Sequence, residues 1–302
     1  MIPVAQLARQ SGFSECFVLP PDKFIHYERR LRDGVLDVSG RSLCIDPRLD
    51  YPWANALLLL LHAYRPYKID SCVSGNYPAS NAAYHAARAL TARLAEHGVR
   101  AERVYVPIRE LALRSGIGVA CKNGLTAYDG YGTRAVVQTL AADVADVVYE
   151  APRAPRACPD CGRCRTACPS QAIAGAGYDF TKCARAYMGK DTMPQWAMDA
   201  MTSMLGCELC QFVCPLNDEI VPLDAVPAAF ELERILSGQI RPVLEIVGNN
   251  LNSGGRILCH AAVLAGKNGR QDLLPQLTAL LDDPREQVKA AVKYAIFLLH
   301  EA

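Results

Sequence analysis

Apolar positions along the chain fall into three regimes. In residues 1–150 they mark alternating strands and helices. Ala56–Tyr64 (ALLLLLHAY) reads as a buried strand ended by Pro66. Asn81–His97 reads as a helix with Ala82, Ala83, Ala86, Leu90 and Leu94 on one face and Gly98 as its stop. Val35–Val38 and Val104–Val106 read as short strands, and Ile108–Ser115 as a helix ended by Gly116. Ala135–Val148 fits a strand running into a helix, and periodicity does not separate the two. Glu150–Ala157 is rich in Pro and Arg and reads as a linker. Residues 151–225 hold few periodic segments. Residues 226–302 return to helical spacing, with Leu273, Leu274, Leu277, Leu280 and Leu281 on one face. Asp283–Pro284 then supplies an N-cap and a first-turn proline for a helix marked by Val288, Ala291, Val292, Ala295, Ile296 and Leu299. An earlier helical pair is expected at Arg241–Gly248 and Arg256–Gly266. Two hairpins about 30 residues apart suggest a HEAT-like array, shorter than the usual ~40-residue repeat. The fold class expected is α+β in three domains: an α/β domain over 1–150, a small domain over 151–225 and a helical module over 226–302.

Composition narrows this picture. The chain has 302 residues, 51% hydrophobic and 21% charged, which favours folded domains over long disorder. Its 32 Lys and Arg balance 31 Asp and Glu, so no net basic field points to nucleic acid. The segments are flat too: 17 basic and 15 acidic residues in 1–150, 7 and 8 in 151–225, 8 and 8 in 226–302. Arg153, Arg156, Arg163 and Arg165 form the one local basic run. No apolar run approaches the ~18 residues of a membrane span, and the start (MIPVAQLARQSGFSE) lacks the apolar stretch of a secretory signal. A cytoplasmic protein without a membrane partner is expected.

Cysteine changes the picture most. Eight of the 13 cysteines lie between positions 158 and 214. An odd total argues against a disulfide framework, and short fixed spacings argue for metal. Cys158-x-x-Cys161-x-x-Cys164-x-x-x-Cys168-Pro169 is the bacterial ferredoxin run, whose fourth cysteine ligates the other cluster in two-cluster proteins. Cys207-x-x-Cys210-x-x-x-Cys214-Pro215 is the second set; Met204 stands where a further cysteine would sit, and Cys183 replaces it from upstream. The crossed assignment gives Cys158, Cys161, Cys164 and Cys214 to one [4Fe–4S] cluster and Cys168, Cys183, Cys207 and Cys210 to the other. Structural zinc is the alternative, but two Cys-Pro endings are not zinc-ribbon spacing. The other five cysteines read as small buried apolar residues, with Cys121, beside Lys122, the one alternative as a reactive thiol.

The words CPDCGRCRTACPSQAI, DFTKCARAY and GCELCQFVCPLN, with the isolated Cys183 between the two sets, resemble the double-cluster domain of the epoxyqueuosine reductases. Arg114–Gly124 (RSGIGVACKNG) is similar to that family's glycine-rich loop, with Cys121 replacing a glycine. Tyr131-Gly132-Thr133 and the Tyr84-His85 pair are similar to further family positions, and the helical tail resembles its HEAT-like tail. The resemblance implies a corrinoid-binding-type N-terminal domain, related in part to reductive dehalogenases. It implies two [4Fe–4S] clusters passing electrons to a cobalamin that reduces a bound substrate, which in the family is epoxyqueuosine in tRNA. A low-potential donor such as ferredoxin or flavodoxin is implied as partner. Gly116, Gly118, Lys122, Asn123, Tyr84 and His85 are the cobalamin-binding candidates. No Asp-x-His-x-x-Gly motif occurs, so a base-off corrinoid fits better than a histidine-ligated one.

One departure concerns chemistry. The family's catalytic Asp, in an Asp-Thr/Ser-x-Pro word, falls on Val104 when anchored on Pro107, or on Glu102 when counted back from Gly116. Tyr105, Tyr131 and Glu102 are therefore the candidate proton donors. The departure puts epoxyqueuosine itself in doubt, and a neutral tail offers tRNA phosphates no excess of Lys and Arg. Two other functions remain open: a two-cluster electron-transfer protein docking a partner enzyme without turnover, and an interaction factor using its helical tail.

Overall fold

In the computed structural model the leucine run sits at the middle of an antiparallel sheet. The structure describes residues 3–32, 43–154, 156–175, 177–188, 190 and 192–301, and the strand expected at Val35–Val38 lies outside them. The chain divides into two units, Met1–Tyr64 with Ala82–Asp160, and Arg65–Asn81 with Cys161–Ala302.

The first unit contains β1 (Glu15–Leu19), β2 (Ala56–Ala63), β3 (Ala101–Arg103), the hairpin strands β4 (Gly118–Ala120) and β5 (Thr126–Tyr128), and β6 (Ala135–Ala142). Its helices are α1 (Val4–Gln10), α2 (Ile25–Arg32), α3 (Pro47–Asp50), most of α4 (Asn76–Glu96) and α5 (Ile108–Arg114). The main sheet runs β1-β2-β6-β3, and every neighbouring pair is antiparallel. Leu57–Leu61 are at most 1% exposed because successive side chains enter different cores. Leu57, Leu59 and Leu61 pack with Phe17, Phe24, Leu111 and Ile117; Leu58 and Leu60 pack with Leu7, Leu90 and Leu94. At about 1.5–3 kcal/mol per fully buried leucine, this strand dominates the unit's hydrophobic stabilisation.

The helix expected from Asn81 begins at Asn76, with Pro78 tolerated in its first turn. Its buried face is Ala83, Ala86, Ala87, Leu90 and Leu94, whereas Ala82 is exposed. The strand expected at Val104–Val106 lies at 101–103 instead. Val104 and Val106 fill the core, and Val104 still donates to the Thr139 carbonyl of β6 just past the end of β3. After β6 no helix forms over 143–148. The Asn55 carboxamide donates to the Val144 carbonyl and accepts from its N–H, both at 2.9 Å, which satisfies the backbone without helical bonds. Cys16, Cys44, Cys121 and Cys259 are buried, as the apolar reading expects, whereas Cys72, the fifth, is only half-buried. Burial pushes the Cys16 thiol up to about 12.

The second unit carries α6 (Arg163–Ala167), β7 (Ile173–Ala174), β8 (Gly177–Tyr178), α7 (Ala184–Met188), α8 (Gln195–Asp199) and α9 (Leu209–Phe212). Five longer or equal helices follow: α10 (Leu232–Leu236), α11 (Arg241–Val247), α12 (Arg256–Lys267), α13 (Leu274–Ala279) and α14 (Glu286–Glu301). α12 and α14 meet at Gly266, where a Cβ would lie 2.6 Å from the Ala295 Cα, so only glycine permits this approach. Leu280 and Leu281 lie beyond α13, in a 3₁₀ turn, because the α-helix stops at Ala279. Asp283 accepts from the Arg285 N–H at 2.9 Å just before α14 begins. Met188, Met198, Met201, Met204 and Leu205 share one core with Ile235, Val243, Leu264 and Val292. Residues on both sides of position 225 thus bury into the same core. Among the described residues, no helix is long and apolar enough to cross a membrane.

His260 of α12 is buried in this core and bonded at both ring nitrogens. Nδ1 accepts from the Leu205 N–H at 3.4 Å and Nε2 faces the Met188 carbonyl at 3.0 Å, which requires the neutral tautomer protonated on Nε2. Burial holds its pKa down at about 4, against an ordinary 6.5. The folded state binds this proton less readily than the unfolded chain. Its contribution is thus complete above pH 6.5 and is lost as pH falls towards 4, on the order of 3 kcal/mol in all. Thermal unfolding of the wild type between pH 7 and 4.5 is expected to fall more steeply than that of His260→Gln. Equal slopes would place the acid sensitivity elsewhere.

Candidate iron–sulfur centre and cavity

The cysteine-bearing segment of the second unit is built from helices of four or five residues, too short to persist alone. Local hydrogen bonds fix each one. Gly162 at φ 73° turns the chain between Cys161 and α6, which carries Cys164. Cys168 follows α6, and its Sγ accepts from the Ala172 N–H at 3.3 Å. Asp179 caps the 3₁₀ turn Phe180–Lys182 by accepting from the Thr181 N–H at 2.9 Å and its hydroxyl at 2.6 Å, which delivers Cys183 to the start of α7. Cys207 and Cys210 flank the start of α9. Beyond them, the Asn217 amide donates to the Gln211 carbonyl at 2.7 Å and locks the Cys214-Pro215 turn.

The thiols influence one another. Burial pushes Cys210 up to about 12, with Cys207, Cys183, Cys168 and Cys164 adding in that order. Burial also raises Cys207, with Cys183 and Cys168 contributing, while a backbone N–H of Leu209 and the Thr202 hydroxyl oppose it. Cys164, Cys168, Cys183 and Cys207 thus lie within electrostatic reach of Cys210. Of the other expected set, Cys161 is exposed, Cys214 is buried, and Cys158 belongs by sequence to the first unit. Among the described residues, no three His, Cys, Asp or Glu side chains close on one point as they would around a single metal ion.

The remaining candidates lie in the first unit. Tyr105 lines a cavity of about 700 Å³ with His26, Arg30, Ile108, Arg109 and Leu113 among others, within the size range of small-molecule sites. Arg103, which motif reading missed, joins two of the candidates. Its guanidinium carbon is 4.7 Å from the Tyr84 ring centre and 5.4 Å from that of Tyr105, and Nη2 donates to the Tyr105 hydroxyl at 3.1 Å. The signal was present as Arg-x-Tyr, whose two side chains share one side of an extended chain. Tyr84 also meets His85 edge-on at 5.3 Å. Tyr131 borders a smaller cleft of about 110 Å³ and donates to Glu15 at 3.1 Å. Burial and that carboxylate raise its pKa.

Both positions where an aspartate was sought have structural occupations. Val104 is 3% exposed in the core, with its N–H on the Thr139 carbonyl at 3.1 Å. Glu102 lies on edge strand β3, ion-paired with Arg100 at 2.8 Å. The glycine loop is filled by the protein itself. A Cβ on Gly116, at φ 68°, would collide with the Arg153 carbonyl, and one on Gly118 would lie 2.6 Å from Thr126 and 2.8 Å from Ala112. At both positions a side chain would meet the protein's own atoms, so close internal packing requires glycine there. Lys122 pairs with Asp160 at 3.2 Å, which ties the hairpin turn to the residue before Cys161. Asn123 is 4% exposed; its Oδ1 accepts from the Leu125 N–H at 3.2 Å, and its buried Nδ2 has no partner in the protein.

Residues 157–217 match the family model of a 4Fe-4S double cluster binding domain. Residues 157–217, with their eight cysteines, thus form a double-cluster iron–sulfur domain within the chain. A 205-residue stretch is 28% identical to the epoxyqueuosine reductase of Bacillus subtilis (strain 168), covering 62% of this chain and 52% of that one. A structure of epoxyqueuosine reductase from Bacillus subtilis, with its aspartate catalytic loop swung out of the active site, superposes at TM-score 0.78. It shows 19% identity over 98% of this chain and 89% of that one. A crystal structure of epoxyqueuosine reductase with an epoxyqueuosine-modified tRNA stem loop gives 0.74, at 20% identity over 98% and 89%. The chain is thus similar to epoxyqueuosine reductases in sequence over part of its length and in fold over nearly all of it. In sequence matches, the chain spans 32–52% of the length of its curated relatives.

Cys183 is the ligand that spacing alone assigns least directly. Cys183→Ala is expected to lose about half of the roughly eight irons of two [4Fe–4S] clusters. Iron analysis showing an unchanged content would remove Cys183 from the ligand set.

Proposed function

We propose that the chain is an iron–sulfur reductase that passes electrons to a corrinoid-dependent reduction of a bound substrate. The observation that carries this reading is the set of eight cysteines in double-cluster order, within the segment that matches a 4Fe-4S double cluster binding domain. In this proposal Cys158, Cys161, Cys164 and Cys214 hold one [4Fe–4S] cluster and Cys168, Cys183, Cys207 and Cys210 the other. When bound, the clusters supply one-electron transfer and cobalamin supplies the metal centre that reduces the substrate. Three functional segments follow: a corrinoid-binding-type segment over 1–150, the double-cluster segment over 151–225 and a HEAT-like module over 226–302. A low-potential carrier such as ferredoxin or flavodoxin is the proposed donor.

The chain's own residues fit such cofactors. Thiolate sulfur is the soft donor that iron–sulfur clusters require. The buried Nδ2 of Asn123 suits an acceptor such as a corrin side-chain carboxamide, and Lys122 holds the neighbouring turn through Asp160. Tyr105 is the proposed proton donor, because it lines the larger cavity and Arg103 stands beside its hydroxyl to stabilise the phenolate left behind. Glu102, paired with Arg100, and Tyr131, in the small cleft, are less well placed for this. A tRNA-borne substrate, as in the relative solved with a stem loop, is the first to test. The even charge of the chain gives phosphates no general attraction, so recognition would rest on local contacts.

Anaerobic purification with metal analysis tests the reading: about eight irons and about one cobalt per chain are expected when cobalamin is supplied. Iron without cobalt would favour an electron carrier that docks a partner enzyme. Tyr105→Phe is expected to lower turnover by about 10²-fold with cofactor content unchanged. Full activity in that variant would pass the proton-donor role to another group.

A further inference from the structure

We propose that Asp129 is a positioning residue for one iron–sulfur cluster. Through Arg153 and Arg156 it holds a strap, residues 149–154 and 156–160, that presents Cys158 from the first unit. The inference rests on the two-cluster reading above, in which Cys158 is a ligand.

Glu150–Ala157 reads from sequence as a linker, but the structure ties it down along its length. The Tyr149 hydroxyl donates to the Asn55 carbonyl at 2.7 Å. The Glu150 N–H donates to the Val18 carbonyl at 2.9 Å, and the Arg153 N–H to the Ser115 carbonyl at 3.2 Å. The Arg153 guanidinium carbon stands 5.4 Å from the centre of the Phe17 ring. Its carbonyl fills the space that a Cβ on Gly116 would need. Two arginines then converge on one carboxylate: Asp129 pairs with Arg156 and, at 3.8 Å, with Arg153. At the far end Asp160 pairs with Lys122 at 3.2 Å. Every one of these partners belongs to the first unit, and Cys158 lies between the last two anchors.

Asp129 itself comes from a fixed backbone. It follows β5 in a turn closed by the Tyr128 N–H on the Gly132 carbonyl at 2.7 Å and the Tyr131 N–H on the Tyr128 carbonyl at 3.1 Å, with Gly130 at φ 72°. An exposed ion pair contributes little alone, because solvent screening and side-chain entropy offset the attraction. Here one carboxylate draws in two arginines on a segment already bonded at 149, 150 and 153. With Cys158 held in advance, assembling its cluster orders fewer residues. Removing the carboxylate leaves two like charges close together on the strap.

The test uses the full chain reconstituted anaerobically with iron and sulfide. Trypsin cuts after an arginine only where the backbone can leave its seat, so cleavage after Arg153 and Arg156, read by mass spectrometry, reports on the strap. Asp129→Ala is expected to speed that cleavage about fivefold over the wild type. Two backgrounds read the clusters separately. Cys183→Ala leaves about four irons, those of the cluster that includes Cys158, and Cys158→Ala leaves those of the other. Adding Asp129→Ala is expected to speed iron release to a ferrous chelator about fivefold in the first background and to leave the second unchanged. Equal acceleration in both would mean a general loss of stability and would overturn the proposal. Cleavage without faster release, or neither effect, would overturn it too. Should Asp129→Ala fail to fold, Arg156→Gln takes its place, with cleavage read after Arg153. A wild type that binds no iron would instead defeat the two-cluster reading, so the two failures are distinct.

Discussion

Sulfurs crowd around Cys210 in surroundings that resist their ionisation, and much else in the second unit follows from that conflict. Burial pushes this thiol up to about 12, so the metal-free chain holds it protonated. Iron binding must therefore displace protons and supply positive charge at once, which couples metal uptake to the folding of the segment. The helices there are four or five residues long and have little stability of their own. Side-chain bonds such as Asn217 to Gln211 and the Asp179 cap hold them in register, and methionines between the cysteine sets bury into the core of the helices that follow.

The first unit solves a different problem. A leucine strand covered on both faces gives a rigid base, and the glycine loop packs back onto it through Arg153, Ala112 and Thr126. What the loop leaves unsatisfied is a single buried donor, the Asn123 amide. The exposed aromatic and cationic groups gather instead on the side of edge strand β3, where Arg103 lies between Tyr84 and Tyr105 and Arg100 stacks on Trp53 at 3.9 Å. Shape and chemistry in this unit are thus carried by different residues.

Legibility from sequence follows the range of the interaction. Cysteine spacing is local, and the double-cluster segment could be read from it. The strand at 56–63 was equally plain, because an unbroken leucine run has no solvent face to give. Val104 misled, since a valine that fills a core looks the same as one in a ladder. The end of the segment after β6 was invisible, because it depends on Asn55, nearly ninety residues earlier. Nothing local to Gly116 and Gly118 announces the Arg153, Ala112 and Thr126 atoms that a side chain at either position would meet. For Arg103 the Arg-x-Tyr spacing was local, but its contact with Tyr84, on a separate helix, was not.

The neutral imidazole of His260 has a consequence for how this protein can be taken apart. It bridges the Met188 carbonyl, one turn past Cys183, and the Leu205 amide, two residues before Cys207. A fragment cut before α12 would strand both of these groups inside an apolar interior. The cysteine segment is thus no portable cassette of the kind free-standing ferredoxins represent. Trimming the C-terminal helices, or grafting this segment onto another scaffold, would have to bring a substitute for that one ring.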